Sequence, residues 1–141
     1  MKKAIFVTAI SVMAVLFAHA QKVDAAKVPA VVKSAFEKKY PGVVAKWELE
    51  DRKYEAAFKE GAEEASATFK ADGTFEEAET EIKTTGLPAS VVDYMKMHYN
   101  KPIREASKIM LANGVVNYEA VIGKTAYIFD AAGNFIKQQK D

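Results

Sequence analysis

The sequence predicts an α+β fold in which a helix followed by a run of antiparallel strands occurs twice. The two sheets are expected to join into one curved sheet with both helices on one face. Three observations predict it. Val28-Pro29-Ala30 through Tyr40 is echoed by Leu87-Pro88-Ala89 through Tyr99. Tyr54-Glu55-Ala56 returns as Tyr118-Glu119-Ala120, and Phe69 to Phe75 returns as Phe129 to Phe135, in the same order along the chain. Matches in conserved order indicate a duplicated unit. Lastly, the segments between these matches alternate apolar and polar residues, as half-buried strands do.

The first twenty residues read as an export signal. Lys2 and Lys3 precede an uncharged, mostly apolar run from Ala4 to Phe17, and Ala18-His19-Ala20 has the small-x-small form of a cleavage site. The cut is expected after Ala20, leaving a periplasmic or secreted protein with no membrane insertion after cleavage; the apolar run is short against the ~20 residues a bilayer span needs. The expected organisation is then a signal peptide at 1–20, a tail at 21–26, a first repeat at 27–82, a linker at 83–86 and a second repeat at 87–141.

Pro29 and Pro88 suit the first turns of the two helices, where a missing N–H costs nothing. Val28, Val32, Ala35, Phe36 and Tyr40 form one apolar stripe, and Val91, Val92, Met95 and Tyr99 the other. Pro41-Gly42 ends the first helix and Asn100 to Pro102 the second. In the first repeat Trp47, Tyr54, Phe58 and Phe69 mark the inward positions of successive strands, and Asp72-Gly73 turns the chain into a strand ending near Ile82. In the second, Asn113-Gly114 predicts a two-residue hairpin that pairs Leu111 with Val116 and Ile109 with Tyr118. Lys59 to Ser66 carries four extra residues relative to the second repeat and reads as a longer acidic loop.

Composition narrows the function. Of 141 residues, 20 are Lys or Arg and 19 Asp or Glu, and none is Cys. Removing Lys2 and Lys3 leaves 18 basic against 19 acidic residues, a net of −1, with no clustered basic patch for nucleic acid. Without disulfides the hydrophobic core alone has to hold the fold. Beyond the signal, His98 is the only histidine; it reads as a surface residue near a helix end. No nucleophile motif or phosphate loop occurs, so no catalytic residue, cofactor or metal is expected. Glu76, Glu77, Glu79 and Glu81 read as a solvated acidic edge that discourages aggregation.

The pattern Pro29-x-x-Val32-x-x-x-Phe36-x-x-x-Tyr40-Pro41, with Trp47, Tyr54-Glu55-Ala56-x-Phe58 and Phe69-x-x-Asp72-Gly73-x-Phe75, resembles the PepSY-like, β-lactamase-inhibitor-like secreted proteins. The resemblance implies tandem helix-plus-sheet units, export and no recognised catalysis. The second repeat departs from it, with Asn100 for Pro41, Met95 for Phe36 and no Trp.

The strand alternation sends Lys46 outward from the first repeat's helix-free face, and Lys108, Met110, Val115, Asn117, Glu119, Val121 and Ile128 from the second's. An apolar patch ringed by charge marks a partner site. The expected function is an exported, non-enzymatic binding module that presents this face to a protein or peptide. By family analogy, were the partner an exported hydrolase or protease, the module would act as an inhibitor covering its active cleft. The alternative is an envelope protein whose sheet face forms a homodimer.

Overall fold

A computed structural model describes residues 20–140; all of the expected signal peptide but Ala20 therefore lies outside the described residues. Nine strands form one antiparallel sheet in which every strand pairs with its sequence neighbours. They are β1 (Gln21–Val23), β2 (Lys46–Glu50), β3 (Lys53–Glu60), β4 (Glu63–Lys70), β5 (Phe75–Ile82), β6 (Glu105–Leu111), β7 (Val116–Ile122), β8 (Thr125–Asp130) and β9 (Phe135–Lys140). Helix α1 (Ala30–Lys39) lies between β1 and β2, and α2 (Ala89–His98) between β5 and β6. None of the helices among the described residues is long and apolar enough to cross a membrane.

Both helices back the same face. Val32 and Phe36 of α1 pack with Trp47, Ala56, Phe58, Ala65, Ala67, Phe69 and Ala78. Val91 and Met95 of α2 pack with Ala106, Ala120, Ile122, Tyr127 and Phe129, joined by Ile82. Ala78 and Ile82 are four residues apart on β5 and so share a face. The alanines let each helix approach the strands closely, and the large rings fill the space beside them. Phe36 is the hub of the first cluster: its centroid lies 5.3 Å from Phe58, 5.4 Å from Trp47 and 6.3 Å from Phe69, all edge-to-face, the arrangement ring quadrupoles favour.

The turns after β4 and β8 are built alike. The Gly73 N–H donates to the Lys70 carbonyl and the Gly133 N–H to the Asp130 carbonyl, each followed by a register shift in the ladder. Both glycines have left-handed φ, +86° and +87°. Each also lies against the first turn of a helix. A Cβ at Gly73 would come within 2.9 Å of the Val31 side chain and carbonyl, and one at Gly133 would overlap Ser90. Ser90 itself donates to the Ala132 carbonyl at 3.1 Å. The turn glycines thus let the helix ends dock.

Three expectations need correction. Lys59 to Ser66 is not a long loop: β3 and β4 extend until Glu60 faces Glu63, so the extra residues lengthen a hairpin. The acidic run is not an edge: β5 is the fifth strand of nine and pairs on both sides, because the two halves join there. Nor is the Asn113-Gly114 hairpin a two-residue loop. The Leu111 N–H donates to the Val115 carbonyl and the Gly114 N–H to the Leu111 carbonyl, both at 2.9 Å. This three-residue loop has Gly114 at φ +83°. The Asn113 side chain accepts from the Val115 N–H, which favours this turn over the tighter one. Met110 therefore faces Val116, Ile109 faces Asn117 and Lys108 faces Tyr118, one residue out of the expected register.

Candidate binding face

A one-residue slip moves every side chain of a strand to the other face. Lys108 and Met110 thus lie on the helix side with Ala106, opposite Thr80 and Ala78 of β5. Met110 remains 42% exposed there. Val115 sits in the hairpin loop, also exposed. Asn117, Glu119 and Val121 of β7, Ile128 of β8 and Lys46 of β2 are on the helix-free face as expected, but Glu119, Val121 and Ile128 are buried rather than exposed. The eight residues expected to form one exposed patch are divided between the two sides of the sheet.

What the slip places on the helix-free face instead is Ser107 and Ile109, and with them a band of buried polar groups. Cross-strand neighbours run Lys46–Ala57–Ser66–Glu79–Ile109–Asn117 from β2 to β7. The next row runs Glu81–Ser107–Glu119–Ile128–Lys137 from β5 to β9. A third holds Glu48, Glu55, Thr68 and Glu77. Glu55, Ser66, Glu79, Ser107 and Glu119 are all buried, with Ile109, Val121 and Ile128 beside them. Glu77, Glu81, Asn117 and Lys137 around them are half-buried.

The sheet is strongly curled. Ile109, Val121 and Ile128, on the side that no helix covers, are buried, which a flat sheet would leave exposed. Burial pushes the Glu77 carboxyl up to about 7, with the neighbouring Glu76 charge adding to it and Lys53 and Lys137 opposing it. Burial lowers Lys137, and Glu77 partly restores it. Glu79 is pushed well above the usual carboxylate range, first by burial and then by Glu119, while a hydrogen bond from Ser107 pulls it back. One oxygen of Glu79 (Oε1) and one of Glu48 (Oε2) are buried without a hydrogen-bond partner. Glu76, by contrast, forms an ion pair with Lys53 at 2.7 Å.

The carboxylate band was absent from the expected site because Glu77, Glu79 and Glu81 look like solvent-facing alternation. Only the knowledge that β5 is central turns the same pattern into a buried one. His98 closes α2, exposed, its ring 4.1 Å from that of Tyr94.

An antiparallel meander with helices on one side and a polar, carboxylate-bearing reverse side is a sheet platform. The family model described as "Putative beta-lactamase-inhibitor-like, PepSY-like" matches residues 15–63 and 52–137, and the chain belongs to that family. No curated protein matches it. Among solved structures it is similar to a "BLIP-like protein" from Bacteroides fragilis NCTC 9343, with 22% identity, TM-score 0.64, and coverage of 79% of this chain and 86% of that one. A DUF2874 family protein from Bacteroides uniformis ATCC 8492 gives 16%, 0.67, 79% and 88% in the same order. A "putative periplasmic" protein from Bacteroides eggerthii DSM 20697 gives 18%, 0.68, 80% and 88%. At these identities the likeness is one of fold. The family's inhibitor-like fold is of a non-catalytic class.

Proposed function

We propose that this protein is an exported, non-enzymatic binding module whose two repeats, 27–82 and 87–141, together present the helix-free face of the curled sheet to a protein or peptide. The carrying observation is the buried polar band. Packed apolar side chains at Glu55, Glu79 and Glu119 would hold the fold better, since replacing buried charged groups by apolar ones of similar volume is often stabilising. Their presence on the side that no helix needs points to recognition rather than folding. Asn117, Glu119, Val121, Ile128 and Lys46 belong to this face. Lys108 and Met110 lie on the helix side and are not part of it, while Val115 closes the hairpin opposite Leu111.

The periplasmic description of the similar Bacteroides eggerthii protein supports residence in the periplasm. The inhibitor-like family supports a partner that is an exported hydrolase or protease, its cleft covered by the module. The test is co-purification of the exported protein from envelopes of its native host, as wild type and as an Asn117→Arg, Lys46→Glu variant with unchanged melting. A stoichiometric partner held by the wild type and lost by the variant supports the reading; one retained by both overturns it. Sedimentation over a range of concentrations separates the homodimer, which would self-associate with no other protein present.

A further inference from the structure

The chemistry of the partner is written in the floor of this face, granted that the face binds a partner at all. We infer that it takes the ammonium or guanidinium of a Lys or Arg side chain, carried on an otherwise apolar extended segment of the partner protein. Glu79 lies at the centre of the band, paired with Ser66 on one side and Ile109 on the other. It is 3% exposed, and its Oε1 has no hydrogen-bond partner. A buried acceptor left open in this way calls for a donor. Ser107 serves the carboxyl only in part.

Shape selects the donor. Glu79 and Glu119 are buried among Ile109, Val121 and Ile128, so the donor has to bring apolar surface with it. Lys and Arg carry their charge at the end of an aliphatic stem that packs against apolar walls. Those walls are present: Ile109 flanks Glu79 and Ile128 flanks Glu119 in register, with Val121 beside Glu119 on β7. Charge selects it too. The charges acting on Glu79 are those of Glu119, Glu55 and Glu77, all acidic, with no cation among them. A metal ion fits less well, because among the described residues no three acidic or His side chains are grouped to hold one. The cation therefore brings its own hydrogen-bond donors, which makes charge-assisted bonds to Glu79.

The experiment is calorimetric titration of the exported protein with an acetylated, amidated octapeptide of alternating Leu and Lys. The control has Gln in place of every Lys. At low salt and about pH 8 the Lys peptide should bind at least about ten-fold more tightly than the Gln peptide, because an ammonium at Glu79 favours the ionised carboxylate and a charge-assisted hydrogen bond is worth about 1.5–3 kcal/mol. Glu79→Gln should weaken the Lys peptide by about ten-fold without lowering the melting temperature. No binding of the Lys peptide, equal binding of both peptides, or indifference to Glu79→Gln each overturns the cation. The Asn117→Arg, Lys46→Glu variant separates this from the broader reading. If the two peptides bind equally and the variant loses both, the face binds but not through a cation. If the variant changes neither, the peptides bind elsewhere and the reading of the face fails with it.

Discussion

The two sides of the sheet are made by the same strands and solve burial in opposite ways. On the helix side, alanines and rings close under α1 and α2, and the polar residues that share that side, such as Lys108, stay exposed. On the reverse side, Glu55, Glu79 and Glu119 are buried with two serines. The first side stabilises through transfer of apolar area, and its interactions are largely indifferent to pH. The second carries Glu77 and Glu79, whose carboxyls burial pushes upward, so its contribution varies with pH. The difference teaches that the helix side is where folding is secured and the reverse side is where stability is given up for another purpose.

The comparison breaks most directly at its two centres. Phe36→Ala removes the hub of the first aromatic cluster and should cost about 3–5 kcal/mol, read as a large fall in the denaturant midpoint. Val121→Lys, 1% exposed on the reverse side, should cost at least about 3 kcal/mol by burying an unpaired charge. A Val121→Lys protein as stable as the wild type would mean that the reverse face is open to solvent.

The pH dependence follows from Glu77. Its folded value, about 7, lies above the 4.5 of an ordinary glutamate, so the folded state holds this proton more tightly than the unfolded one. The stability it contributes is complete below about 4.5 and is lost as pH rises to about 7, a change on the order of 2–3 kcal/mol. Glu79, shifted the same way, extends the decline. Glu77→Gln should flatten the melting profile across that window. A profile that is equally steep in the variant would remove Glu77 as its cause.

Much of the helix side was legible in the sequence. Phe36, Trp47, Tyr54, Phe58 and Phe69 lie at helix and strand positions whose spacing alone assigns them inward, and the structure buries all of them but Tyr54, which is partly buried. The turn at Asp72-Gly73 and its counterpart near Gly133 were legible for the same reason. The reverse face was not. Its reading depended on the register of a single hairpin, and Asn113-Gly114 serves both a two-residue loop and the three-residue loop that forms. The choice between them transfers Ile109 and Ser107 to one side and Met110 and Lys108 to the other. The centrality of β5 is also invisible locally, because it arises from pairing with β6 across the whole of α2. Alternating glutamates have the same pattern at an edge and in the middle of a sheet.

Glu79→Gln sharpens the comparison with a gain rather than a loss. The amide keeps the shape and can still bond to Ser107, but it cannot ionise. At about pH 8 the variant should be more stable by about 1–3 kcal/mol, the range seen when buried charges are replaced. Near pH 5 the gain should be smaller, because burial and the Glu119 charge favour the protonated form of Glu79. A gain of equal size at both pH values would point to altered packing instead of charge.

Met110→Lys is the smallest expected effect and the most direct check on the register. Met110 faces Ala78 on the helix side and is 42% exposed, beside a lysine that is already tolerated at position 108. Adding a charge there should change stability by no more than about 0.5 kcal/mol, as at other exposed positions. In the register expected from the hairpin sequence, Met110 would share its side with Glu119 and Val121, and the same lysine would then alter both stability and the titration of the carboxylates. Measuring Met110→Lys beside Val121→Lys therefore places the two residues on different sides of the sheet without any further structure. A large loss in Met110→Lys, or a shift of the Glu77 titration near pH 7, would return β6 to the other register and take Ser107 and Ile109 out of the binding face.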